Sequence, residues 1–188
     1  MSRSIQRYCQ RECSLEQPGL TRFTAACSLA LQLVGLCIDA IWYNGGDVVA
    51  ADIPEYDAAT CDLLAAGRVA GIPVLGTLPR RAALAERQPS TPHELALCIA
   101  RAYAERPDAL CVALAWECWR LAWLKAHHPA ELLATLLDNA PDEATARALL
   151  DEAYACGLVV ELHDQPGFAG GLRDRSYTAR DGGILGVG

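Results

Sequence analysis

The sequence predicts a mainly α protein, a helical bundle with a small β element at its C-terminus. Three observations carry this. The stretch from Pro107 to His128 is apolar nearly all round, as a helix at the centre of other helices must be. Helix-start signals precede several apolar-periodic runs, at Thr91-Pro92-His93-Glu94, at Pro129 and at Pro141. Glycines close the runs, at Gly45-Gly46, Gly67 and Gly157.

The elements follow in order. Residues 1–20 form a polar N-terminal segment broken by Pro18-Gly19, residues 21–163 a helical domain, and residues 164–188 a C-terminal loop and β-hairpin. Thr21 is placed to cap a helix reaching Trp42, which Asn44-Gly45-Gly46 ends. A helix over Tyr56 to Ala66 is followed by Gly67, suited to the left-handed position past its end. Val69 to Leu75 reads as a short extended segment, and Arg80 to Arg87 as a short helix stopped by Pro89. Thr91 to Glu94 spells a capping box, opening a helix that runs to Ala104. The central helix spans Pro107 to His128; Pro129 opens another, to Leu137; Pro141 opens the last, ending at Gly157. Leu158 to Leu162 reads as a strand and Gly167 to Gly171 as loop. Tyr177-Thr178-Ala179 and Ile184-Leu185 flank a hairpin turn at Asp181-Gly182.

Composition narrows the function classes. Hydrophobic residues make up 52% of the chain, charged ones 21%, and the formal net charge is −7. A nucleic-acid surface works by neutralising phosphates, so an acidic chain is a poor candidate and binding is expected to be weak or absent. The nine cysteines are irregularly spaced, with no Cys-x-x-Cys pair and no zinc quartet. They read as reduced, mostly buried thiols of a cytoplasmic protein, and no cofactor or metal is expected. Cys9 and Cys13 stand apart, at i and i+4 in a polar segment. Ala25 to Ile41 is strongly apolar but contains Gln32, Gly35 and Asp39, and it falls short of the roughly 20 residues a membrane span needs. It reads as a buried helix.

Candidate site residues cluster on the central helix. Trp116, Trp119 and Trp123 lie at i, i+3 and i+7, one aromatic stripe that either walls a ligand pocket or packs in the core. Glu117 interrupts the apolar run Val112 to Trp116. A carboxylate there is paired, set in a cavity, or shifted towards its neutral form. Arg120 is three residues on and can pair with it. A cavity would make Glu117 a general acid or base beside Arg120 and His127. His127 and His128 end the helix, where the macrodipole favours a cation. His93 lies in the first turn of its helix and is expected to be exposed. Arg80, Arg81 and Arg87 form the one basic cluster, either a phosphate-binding surface or a solvated helix face.

The run Leu121-Ala122-Trp123-Leu124-Lys125-Ala126-His127-His128-Pro129 is similar to a Tyr-Leu-Lys-Ala-His-Tyr-Pro-like helix end in the fingers region of the bacterial replicative DNA polymerase III α subunit. The order of Leu63-Leu64-Ala65-Ala66-Gly67, Gly71-Ile72-Pro73-Val74-Leu75-Gly76-Thr77 and Asp181-Gly182-Gly183-Ile184-Leu185-Gly186-Val187-Gly188 also resembles that family, with gaps, from about Gly19 to Gly188. The resemblance implies a fingers-like helical scaffold with His127 as a structural cap. It does not bring the family's chemistry. The Arg-Pro-Gly-Pro nucleotide loop is replaced by Ala100-Arg101-Ala102-Tyr103-Ala104. The Asn-Lys-Ser-His run falls on Pro107 to Leu110. The strand's Gln and Glu-Ser fall on Val74, Gly76 and Thr77. The palm with its metal-binding aspartates is expected upstream of Met1. Two-metal phosphoryl transfer requires such carboxylates, so the chain is expected to be inactive as a polymerase.

Three readings follow. In the first, a repurposed fingers-like domain binds or transforms a small molecule in a cavity between helices, as a specialised enzyme or a sequestering protein. The second is a nucleic-acid-binding accessory or remnant of DNA replication or repair, using Arg80, Arg81 and Arg87. The third is a protein-interaction module, with a homodimer as one form. Loss of the polar cleft and the acidic charge favour the first.

Overall fold

The computed structural model describes residues 18–101, 108–164 and 175–181. These are mainly helical. Seven helices occur among them: α1 (Pro18–Tyr43), α2 (Ala58–Ala65), α3 (Leu78–Arg87), α4 (Pro92–Arg101), α5 (Ala109–His127), α6 (Pro129–Asp138) and α7 (Glu143–Ala155).

Local chemistry accounts for most of the boundaries. The Asp57 carboxylate accepts from Thr60 N (2.8 Å) to start α2, Asp108 from Cys111 N (2.7 Å) to start α5, and Asp142 from Thr145 N (2.7 Å) to start α7. Pro129 opens α6 from its first turn, where a missing N–H costs nothing. Gly67 and Gly157 follow α2 and α7 at φ +69° and +80°. Helix α1 begins at Pro18, ahead of the Thr21 cap expected from sequence, because a proline serves at the first helical position. At α4 Thr91 Oγ1 accepts from Glu94 N (3.2 Å), and the Glu94 carboxylate reaches back to the Thr91 backbone and also accepts from Ser90 N (2.7 Å) and Ser90 Oγ (2.8 Å). The expected continuation of α4 to Ala104 and the position of Pro107 lie outside the described residues, as do Cys9, Cys13, Gly167 to Gly171 and Ile184-Leu185.

Helix α5 is central, packed against α1, α2, α4 and α6. Its buried side chains include Leu114, Cys118, Trp119, Leu121 and Leu124. Helix α1 turns Cys27, Ala30, Leu33, Val34, Cys37 and Ile41 inward, while Leu29, Leu36, Trp42 and Tyr43 are exposed. Over Thr24–Tyr43 it is long and apolar enough to cross a membrane by length and composition. The buried helix expected there is thus buried along one face only.

Val69 to Leu75 departs from the extended segment expected. It is a chain of turns, with Ile72 N bonded to Val69 O (3.1 Å) and Leu75 N to Pro73 O (2.8 Å). Gly71 (φ +78°) and Val74 (φ +62°) both take left-handed backbone conformations incompatible with a strand. Turns leave backbone groups without ladder partners, and a buried segment must satisfy them otherwise. Side chains do so here. Arg80 Nη1 donates to Val74 O (2.6 Å), Cys118 Sγ to Pro73 O (3.4 Å) and Lys125 Nζ to Ala70 O (2.8 Å), while Glu152 Oε2 accepts from Ala70 N (3.1 Å).

Candidate functional site

The clamp on Ala70 opens onto a cavity of about 390 Å³ between α2, α5, α6 and α7. Leu132, Leu133 and Leu136 of α6, with Leu149 of α7, make its apolar wall. The polar side carries Lys125, Glu152, Arg68 and Asp62. Ala59 of α2 is exposed and also lines the cavity. Lys125 Nζ bonds Glu152 Oε1, so the ion pair joins α5 to α7 across the cavity wall. Both side chains are mostly shielded, at 17% and 18% exposure. Burial depresses the proton affinity of the Lys125 amine below the ordinary lysine range, against the opposing pull of Glu152. Arg68 Nη1 lies 3.8 Å from Cys156 Sγ at the same cavity.

Lys125 is the only lysine in the 188 residues; every other member of the Lys and Arg total of 16 is an arginine. The one lysine ammonium thus lines the cavity of about 390 Å³, beside a carboxylate. Sequence reasoning passed over it because Lys125 read as part of a scaffold motif. Its uniqueness was the available signal. Glu152 carried none, being one acidic residue on an amphipathic helix.

The sequence-predicted site residues are placed elsewhere. Glu117 is buried (2% exposed) and Arg120 Nη1 donates to its Oε1 at 2.6 Å. Glu117 Oε2 and Arg120 Nε have no hydrogen-bond partner among the described residues. Burial raises the Glu117 carboxyl above the usual carboxylate range, with Arg120 opposing. Neither residue lines the cavity of Lys125.

The tryptophans do not form one wall. Trp119 is fully buried and donates Nε1 to Pro54 O (2.9 Å). Trp116 lies under the Arg120 guanidinium, 5.6 Å from its carbon. Trp123 stacks on His127 (4.6 Å between centroids) and lines a smaller hollow with Asp47, Val48, Val49, Asp52 and Ile53. Helical spacing set them along one side of α5, but different neighbours meet each turn.

His127 Nε2 lies 3.0 Å from Asp57 Oδ2, so the carboxylate that caps α2 also ties down the end of α5. His128 packs its ring on Trp123 (5.8 Å), and His93 is exposed. The basic cluster is divided. Arg80 is buried (6% exposed) against Val74, while Arg81 and Arg87 are exposed. Arg80 faces inward because α3 carries it on the buried side with Ala83 and Leu84. No group of three metal-ligating side chains occurs among the described residues. Of the free thiols, Cys27, Cys37, Cys98, Cys111 and Cys118 are buried and Cys156 is exposed.

No protein-family model, curated protein or solved structure matches the chain.

Proposed function

We propose that this chain is a repurposed fingers-like helical domain that binds a small, largely apolar molecule in the cavity between α2, α5, α6 and α7. One observation carries the reading: four leucines and a half-buried Lys125–Glu152 pair line one cavity of about 390 Å³. Apolar walls with a few convergent polar groups are the usual form of small-molecule sites. The polymerase-like order of motifs supports the scaffold, and the missing polar cleft supports the loss of polymerase chemistry.

In this reading a C-terminal β element completes the bundle, β1 (Leu158–Asp164) antiparallel to β2 (Arg175–Asp181), with Leu158 opposite Asp181. Tyr177 to Ala179 then pair with residues of β1. The Ile184-Leu185 partner expected from the sequence lies outside the described residues.

The test uses octan-1-ol and the full chain. The alcohol should raise the midpoint of thermal unfolding in a saturable way, as a ligand of the folded state must. Ala59→Trp, an exposed change at the cavity, should abolish the rise while leaving the midpoint of the free protein unchanged. No rise in the wild type, or an equal rise in both proteins, would reject the cavity as the site.

A further inference from the structure

We propose that Lys125 is the covalent ligand-binding residue of this cavity, forming an imine with aldehydes that carry an apolar chain. The inference rests on the cavity being a ligand site. The amine lines the same cavity as Leu132, Leu133, Leu136 and Leu149, so one site offers leucines to an alkyl chain and Nζ to its carbonyl. Glu152 Oε1 is bonded to the same nitrogen and is the proton acceptor the reaction needs. Burial lowers the amine's hold on its proton, against the pull of Glu152, which brings the uncharged, attacking form nearer.

The residue type fits this role as well. The other fifteen of the sixteen Lys and Arg positions are arginine, whose guanidinium stays charged and is a poor nucleophile, whereas a lysine can lose its proton.

The step balances as follows. Lys125 passes a proton to Glu152, and its nitrogen lone pair forms a bond to the carbonyl carbon. The carbonyl π pair moves to oxygen, which takes the proton held by Glu152. Glu152 then removes a second proton from the nitrogen and passes it to the same oxygen, the C–O bond breaks, and water leaves as the C=N bond forms, with Glu152 again a carboxylate. Nothing is oxidised or reduced, and the products are the imine and one water. The protonated imine keeps one N–H for Glu152.

Trapping tests it. The full chain is incubated with octanal and sodium cyanoborohydride near neutral pH, then mapped by peptide mass. The chain's α-amino group is the internal reference. Lys125 should gain one octyl group about ten-fold faster than the α-amino group, with a rate that saturates in octanal, because binding holds the carbonyl in place. Ala59→Trp should remove that advantage. Glu152→Gln should slow the modification about a hundred-fold, the size of a lost general base.

An unmodified Lys125, or one modified no faster than the α-amino group, overturns the proposal. If octan-1-ol still binds, the imine alone falls; if it does not, the cavity reading falls too. An unchanged rate in Glu152→Gln removes Glu152 from the mechanism as proposed. Lys125→Arg should give no adduct on this peptide. An adduct there would place the reaction elsewhere.

Discussion

Glu117 gives one carboxylate oxygen to Arg120 and keeps the other without a partner in a buried position. Removing either residue should therefore have unequal effects. The two are not equivalent: Glu117→Gln removes the deeply buried charge and keeps an amide oxygen for Arg120, which is 14% exposed against 2% for Glu117. For Glu117 the folded state raises the carboxyl's proton affinity. Its favourable contribution is present below the unfolded pKa and is lost as pH rises through the raised folded value. Glu117→Gln should thus be neutral or stabilising by about 1 kcal/mol at pH 7, with the gap to wild type closing as pH falls into the ordinary carboxylate range. Arg120→Ala, which leaves the carboxylate buried without its partner, should cost about 3 kcal/mol at pH 7. Urea unfolding at several pH values measures both. A loss of several kcal/mol in Glu117→Gln at pH 7 would contradict the account. The oddity of Glu117 was legible in sequence, and so was Arg120 as its partner. That the pair lies away from the cavity was not, because i,i+3 spacing gives adjacency along one helix and says nothing of what packs over it.

At the scale of elements, the turns from Val69 to Leu75 contrast with α1. An ideal Cβ on Gly71 would stand 2.6 Å from Leu136 Cδ1 and 2.7 Å from Leu149 Cδ2, at a φ of +78°. Gly71→Ala combines left-handed strain with overpacking and should destabilise by about 2–4 kcal/mol. Because both leucines line the cavity, octan-1-ol binding should weaken as well. Gly35 is exposed in the middle of α1 and its Cβ would meet nothing within 4 Å. Gly35→Ala should stabilise by about 1 kcal/mol, the usual difference within a helix. Opposite signs in denaturant titrations are the expected outcome, and equal signs would show that one of the two environments is misjudged. Helix boundaries were readable because caps act within one turn. Asp57, Asp108 and Asp142 each hold a backbone N–H three residues on. The turns at Val69 to Leu75 were not readable, since their backbone groups are satisfied by Arg80, Cys118, Lys125 and Glu152, up to 82 residues away in sequence.

For the whole molecule, charge and burial bear together on nucleic acid. The net charge is −7, and burial of Arg80 leaves Arg81 and Arg87 as the exposed members of the basic cluster. Two phosphate contacts give a salt slope of about −2 on a log–log plot. Filter binding should find DNA affinity weaker than micromolar at physiological salt and a slope no steeper than this. Arg80→Ala should lower stability without changing the slope, since Arg80 Nη1 holds the carbonyl of the left-handed Val74. Primer extension with any template and divalent metal should stay at background. Sub-micromolar DNA binding lost on Arg80→Ala would restore the cluster as an interface.

The sequence by itself determined that the chain is mainly helical, that α5 is central and where most helices start. Periodicity, prolines and side-chain caps are local, and each acts over one or two turns. Tertiary structure alone decided where the cavity lies and which charges reach it. Lys125 and Glu152 are 27 residues apart and Lys125 and Ala70 are 55 apart. No local rule relates such positions, and only the packing of α2, α6 and α7 around α5 brings them together. The sole lysine was visible in the sequence throughout, but only its burial beside Glu152 gives that fact a chemical meaning.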